Sequence, residues 1–148
     1  MSHLQLFYVF RLEENRQALN RQQQTDYYSI SLLNEPPPTE GSMLLFQQPN
    51  ASHAGELSPQ QTGFSCMFNA SLLSGKMQQL LQSLPLFRKE HNKVYVLNPK
   101  QNNMLSALFE KMLKEVNTNY TFRNELIGNY VAELIHHALK IQPIVSTK

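Results

Sequence analysis

Apolar residues along this chain follow two different rhythms. Through the first two-thirds they come in short runs rich in aromatic and branched side chains: "LQLFYVFRL", "DYYSISLL", "SMLLFQQ", "GFSCMF" and "KVYVL". Such runs, separated by turn-forming residues, predict strands. In the second run Tyr28, Ile30 and Leu32 alternate with Tyr27, Ser29 and Ser31, and Phe64, Cys66 and Phe68 alternate likewise with Ser65 and Met67. A period of two sends successive side chains to opposite faces of a sheet, so both segments predict half-buried strands. The stretches "NEPPPTEG" and "PNASHAGELSPQQTG" predict exposed loops, and the Gln-rich "EENRQALNRQQQT" a loop or short surface helix. After Phe68, Asn69 or Ser71 is placed to cap a short helix. It gathers Leu72, Leu73, Met77, Leu80 and Leu81 on one side and stops at Pro85.

In the last third the period lengthens. Asn98 as N-cap and Pro99 at the first helical position open a helix whose stripe is Met104, Leu105, Leu108, Phe109, Met112, Leu113 and Val116. Past the break at "NTNYT", a second helix carries Leu126, Ile127, Tyr130, Val131, Leu134, Ile135, Ala138 and Leu139. Adjacent apolar pairs recurring every four residues make a stripe wide enough for more than one neighbour. Two such helices on a short link predict an antiparallel hairpin. Its faces have two uses open to them, covering the small sheet or meeting the same faces of a second copy.

Composition narrows the classes. The 148 residues are enough to bury a sizeable core. Apolar residues are 41% and charged residues 16%, which fits neither a disordered nor a membrane-embedded chain. The formal net charge of +2 is carried by scattered Lys and Arg, with no basic cluster longer than Arg88-Lys89, so direct DNA binding is not expected. The N-terminal apolar stretch lacks a basic lead and is too short and broken for a signal peptide, and no run approaches the ~18 apolar residues of a membrane span. Triplets N-x-S/T at Asn50, Asn69 and Asn119 therefore read as chance matches, and a cytoplasmic location is expected.

Candidate chemistry is sparse. The single cysteine, Cys66, excludes an intrachain disulfide and, within a strand-like run, reads as a buried inert thiol. Of the five histidines, His53 stands alone and His136 and His137 diverge by about 100° around a helix, so no metal site is expected. No nucleophile elbow and no phosphate-binding glycine loop occurs. Catalytic residues and cofactors are accordingly expected to be none. The strand aromatics fit either a core or the mouth of a small-molecule site.

The segments "FYVFRLEE", "QTDYYSISLL", "LLFQQPNASHAGE", "GFSCMFNASLLSG" and "LFEKMLKEVNTNYTFRNELIGNYVAELIHHALKIQP", in that order, resemble the N-terminal sensor domain of AraC-type bacterial transcription regulators. The likeness runs over nearly the whole chain and is most specific in the helical pair. It implies a cupin-like jelly-roll barrel holding a small effector, often a sugar or related metabolite, beside a helical dimerisation hairpin. Full-length members continue into a DNA-binding domain with two helix-turn-helix motifs, whose linker would start where this chain stops, at Lys148. Between "YYSISLL" and "LLFQQP" the family usually has a strand-turn-strand unit; here only "NEPPPTEGS" joins them, and its three prolines resist a sheet.

The expectation is thus an α+β chain. Residues 1–97 would form a small cupin-like jelly-roll barrel short of one hairpin, with a short helix near 71–84. Residues 98–141 would form the dimerisation hairpin and 142–148 the start of a linker. Carried over from the family, the effector would meet Phe10, Tyr28, Ile30, Phe46, His53 and Phe64. Dimerisation would fall on Leu126, Tyr130, Leu134, His137 and Leu139, buttressed by Leu105, Leu108 and Met112. Expected partners are a second copy or a full-length relative, with a small-molecule effector and no membrane. A stand-alone cupin metabolite-binding protein or enzyme, or a truncated remnant, are the competing readings.

Overall fold

All five apolar runs are strands. A computed structural model of the protein describes residues 6–14, 27–35, 41–49, 61–83 and 93–141. Within these, β1 (Phe7–Arg11), β2 (Tyr28–Asn34), β3 (Ser42–Gln47), β4 (Thr62–Phe68) and β5 (Lys93–Leu97) form one antiparallel sheet in the order β1-β4-β2-β3-β5. Three α-helices accompany it: α1 (Gly75–Ser83) between β4 and β5, then α2 (Pro99–Val116) and α3 (Arg123–Ile141) after β5. The described residues are therefore α+β, and their strands make a single sheet. The Gln-rich segment beyond Glu14, most of both predicted loops, His53 and the tail after Ile141 lie outside the described residues.

Register fixes which side chains share a face. Ile30 sits between Cys66 and Phe46, and Leu32 between Phe64 and Leu44, so these residues line one face with Phe7, Phe68, Tyr95 and Leu97. That face is the core, and α2 lies across it. Helix α2 starts on a reciprocal cap: the Asn98 side chain accepts from the Gln101 N–H at 2.7 Å, and the Gln101 side chain accepts from the Asn98 N–H at 2.9 Å. Its inward stripe of Leu105, Leu108, Phe109 and Met112 is buried, with Phe109 stacked on Phe64 at 5.3 Å between ring centres. Each such side chain contributes on the order of 1.5–3 kcal/mol through the apolar surface removed from water.

Helix α3 packs against α2 and against the short 3₁₀ turn Ala70–Leu72. The link between them is held by Arg123, whose Nη1 donates to the carbonyls of Val116 (3.0 Å) and Thr118 (3.4 Å) while its guanidinium lies over Phe7. Ile127, Val131, Leu134, Ile135 and Ala138 are all buried in the same core as the sheet. Gly128 permits the close approach to the 3₁₀ turn, since a Cβ there would meet the Leu72 carbonyl oxygen at 2.6 Å. Gly63 has a different role. It sits in β4 at φ +133°, a conformation that favours glycine, and any Cβ would overlap the Leu32 carbonyl of the neighbouring strand.

Candidate functional site

The sheet has a second face, and its chemistry differs from the first. Register places Tyr8, Phe10, Ser29, Ser31, Leu33, Met43, Leu45, Gln47, Gly63, Ser65, Met67, Val94 and Val96 on it. At one end Phe10, Leu12, Leu33, Met43 and Leu45 make a small apolar cluster of their own. Towards the middle lie three serines, Ser29, Ser31 and Ser65, each 0% exposed, with Gln47 and Met67 buried beside them.

Directly opposed on β2 and β4, Ser31 and Ser65 bring their hydroxyl oxygens to 2.9 Å. A hydroxyl carries one hydrogen and two lone pairs, so this bond uses one of the two hydrogens and leaves the other for a further acceptor. Ser29 donates to the Gln47 amide oxygen at 3.3 Å. Tyr27 and Tyr8 come together next to this group, with ring centres 5.5 Å apart. Burial, aided by Tyr8, raises the Tyr27 phenol above its ordinary pKa, so it stays a neutral hydroxyl across the physiological range. The strand residues of this face carry hydroxyl, amide, thioether and aromatic groups and no formal charge. These uncharged hydroxyls hydrogen-bond to one another and keep spare capacity of the kind a neutral, hydroxyl-rich ligand would use, but in this structure they are fully covered.

Of the residues expected to meet an effector, the structure separates Phe10 from the rest. Phe10 is on the hydroxyl face; Tyr28, Ile30, Phe46 and Phe64 are on the helix-covered face. Ile30 and Phe46 are core residues. Phe64 is enclosed between the stacked ring of Phe109 and the guanidinium of Arg11 at 5.2 Å, which in turn forks onto Glu110 at 2.7 and 3.0 Å. That ion pair holds the Glu110 carboxyl below and the Arg11 guanidinium above its ordinary pKa, chiefly through the hydrogen bonds each makes to the other. Tyr28 stacks on Phe68. Strand alternation identifies two faces, and the apolar one is covered by the helices. Ser29, Ser31, Ser65 and Gln47, on the opposite face, were not among the expected residues. Their signal was the same alternation, in which a serine between apolar residues reads as pointing to water.

The helix expectations divide in the same way. Leu134 is 0% exposed within a single copy and belongs to its own core, so it offers no surface to a second chain. Leu126, Tyr130, His137 and Leu139 are half-buried. His137 lies 3.6 Å from Glu133 one turn back. At the foot of α3 the exposed Tyr120 and Phe122 pack edge to face, 5.9 Å between centres. Leu105, Leu108 and Met112 are core residues of α2.

Cys66 is buried, and burial pushes its thiol far up, which makes it unreactive in the fold. Among the described residues no group of three or more His, Cys, Asp or Glu gathers in metal-binding geometry, and no helix is long and apolar enough to cross a membrane. No family model and no curated protein matches the chain.

Proposed function

We propose that this chain is the effector-sensing and dimerisation unit of an AraC-type transcription regulator, a binding module with no catalytic step of its own. The observation that carries the reading is the division of labour between the two faces of the sheet. One is sealed by the C-terminal helices and the other buries a hydrogen-bonding row of uncharged groups. On this reading the sheet is one wall of a cupin-like barrel, the serine row faces inward towards a sugar or related metabolite, and α2 and α3 form the hairpin outside.

The faces are one residue apart along each strand. A ligand held at Ser31 and Ser65 therefore bears on Leu32 and Phe64, and through the Phe64–Phe109 stack on α2. The pairing surface is the outer line of α3, Leu126, Tyr130 and His137, with Phe122 below it. Pairing there with a second copy, or with a full-length relative, would set how many DNA-reading domains the dimer presents.

Light scattering behind size-exclusion chromatography tests the reading across protein concentration. Wild type is expected as a dimer. Tyr130→Asp, at a half-buried position on the edge of the core, is expected to give monomers that still unfold in one cooperative transition, at a somewhat lower midpoint. A wild-type monomer at several hundred micromolar, or a dimer unmoved by both Tyr130→Asp and Leu126→Asp, sinks the proposal.

A further inference from the structure

A cavity of about 540 Å³, whose lining shares no residue with the serine row, lies between α3 and the segment running from the 3₁₀ turn into α1. Its size falls within the ~300–1,000 Å³ of small-molecule sites. The floor is apolar: Leu72, Leu73 and Met77 are buried there, and Leu6 and Ala132 complete it. Around the rim stand the exposed Ser71, Ser74, Asn124, Glu125 and Asn129. An apolar floor with a polar rim on one side is the shape that receives an amphipathic molecule, ring or chain down and head group outward.

The rim specifies the head group. Among the described residues that line the cavity, Glu125 is the only charged one, with no Lys, Arg or His beside it. Ser71 already spends its hydroxyl hydrogen on the Asn69 carboxamide oxygen at 2.8 Å, so towards the cavity it offers lone pairs. Donors that would attract an anion are partly committed. The Met77 N–H at the start of α1 bonds to Ser74 Oγ at 3.2 Å, the Arg123 N–H to the Tyr120 carbonyl and the Leu126 N–H to the Phe122 carbonyl. Hydroxyl and carboxamide groups of the rim can donate or accept, so the Glu125 carboxylate alone gives the described rim its formal charge, which is negative.

We propose that this groove is a second ligand site, for a small amphipathic molecule with an ammonium head group, whose apolar body covers Leu72, Leu73 and Met77 and whose head is held by Glu125. The site joins α3 to the elements after β4, so its occupant bridges them. It stands independently of the effector reading, because none of its residues belongs to the serine row and its test makes no use of dimerisation.

Three probes with one cyclohexyl body separate head-group chemistry from simple greasiness: cyclohexylmethylamine, cyclohexylmethanol and cyclohexanecarboxylate. Each is titrated into the ¹⁵N-labelled full chain at pH 7, following amide signals of Leu73, Ser74, Gly128 and Asn129. The amine is expected to move these signals with saturation, binding about two- to five-fold more tightly than the alcohol, as one solvent-screened ion pair allows. The carboxylate is expected to bind weakest. Glu125→Gln, at an exposed position that leaves packing intact, is expected to bring the amine to the alcohol's affinity. Ala132→Phe, which fills the floor, is expected to abolish binding of all three. Preference for the carboxylate, equal binding of amine and alcohol by wild type, or an amine affinity unchanged in Glu125→Gln overturns the proposal. Signal changes scattered away from α3 and the 3₁₀ turn do the same.

Discussion

Removing the hydroxyl pair at the centre of the second face gives the sharpest test of how that face works. Ser31 and Ser65 are fully buried and bonded to each other at 2.9 Å. In Ser31→Ala the bond is lost, and Ser65 keeps a buried hydroxyl with no partner across the strand. The lost bond is worth about 0.5–1.5 kcal/mol net, and the stranded polar group raises the cost to about 1–3 kcal/mol. Ser65→Ala should cost the same for the same reason. In the double variant no hydroxyl remains to be desolvated, so its stability should lie within about 1 kcal/mol of wild type. The two changes are therefore strongly non-additive. Urea unfolding of the four proteins measures this directly, and for a domain of this size each kcal/mol corresponds to roughly 2–4 °C in melting temperature. A double variant destabilised by the sum of the singles would refute the reasoning, as would singles indistinguishable from wild type. A double variant as stable as wild type would mean that the serines do not hold the fold together.

Three further outcomes follow from the packing. Leu134→Asp places a charge in the shared core, a cost of several kcal/mol against a total stability of about 5–15, and should abolish the cooperative melt instead of releasing folded monomers. Gly63→Ala meets both the strained φ and the Leu32 carbonyl; about 1–3 kcal/mol for each effect sums to a loss of roughly 2–6 kcal/mol by urea unfolding, whereas Gly41→Ala, with open space around it, pays only for its φ. The Arg11–Glu110 pair lowers the carboxyl's pKa in the fold, so its contribution is complete above the ordinary carboxylate range and disappears as pH falls through the lowered value. The stability gap between wild type and Glu110→Gln, at most about 1 kcal/mol near neutrality because both side chains are partly solvated, should close on acidification.

Much of the architecture could be read from local pattern. Alternation over residues 28–34 and 62–68, and the four-residue recurrence along the last two helices, reflect backbone geometry that each segment carries with it. The Asn98–Pro99 start was equally local, because a cap is made from neighbours in sequence. By itself the sequence thus determined the element types, their order and the two-faced character of each strand. Tertiary structure decided which face is which. Ser31 meets Ser65 only because β2 pairs with β4 in one register, and a one-residue slip would exchange every inward and outward side chain. Leu134 and Tyr130 share one stripe in the sequence, yet packing buries the first completely and leaves the second half-buried at the edge of the core. Periodicity specifies direction around an axis; only the presence of a neighbour in that direction makes a residue core, seam or site.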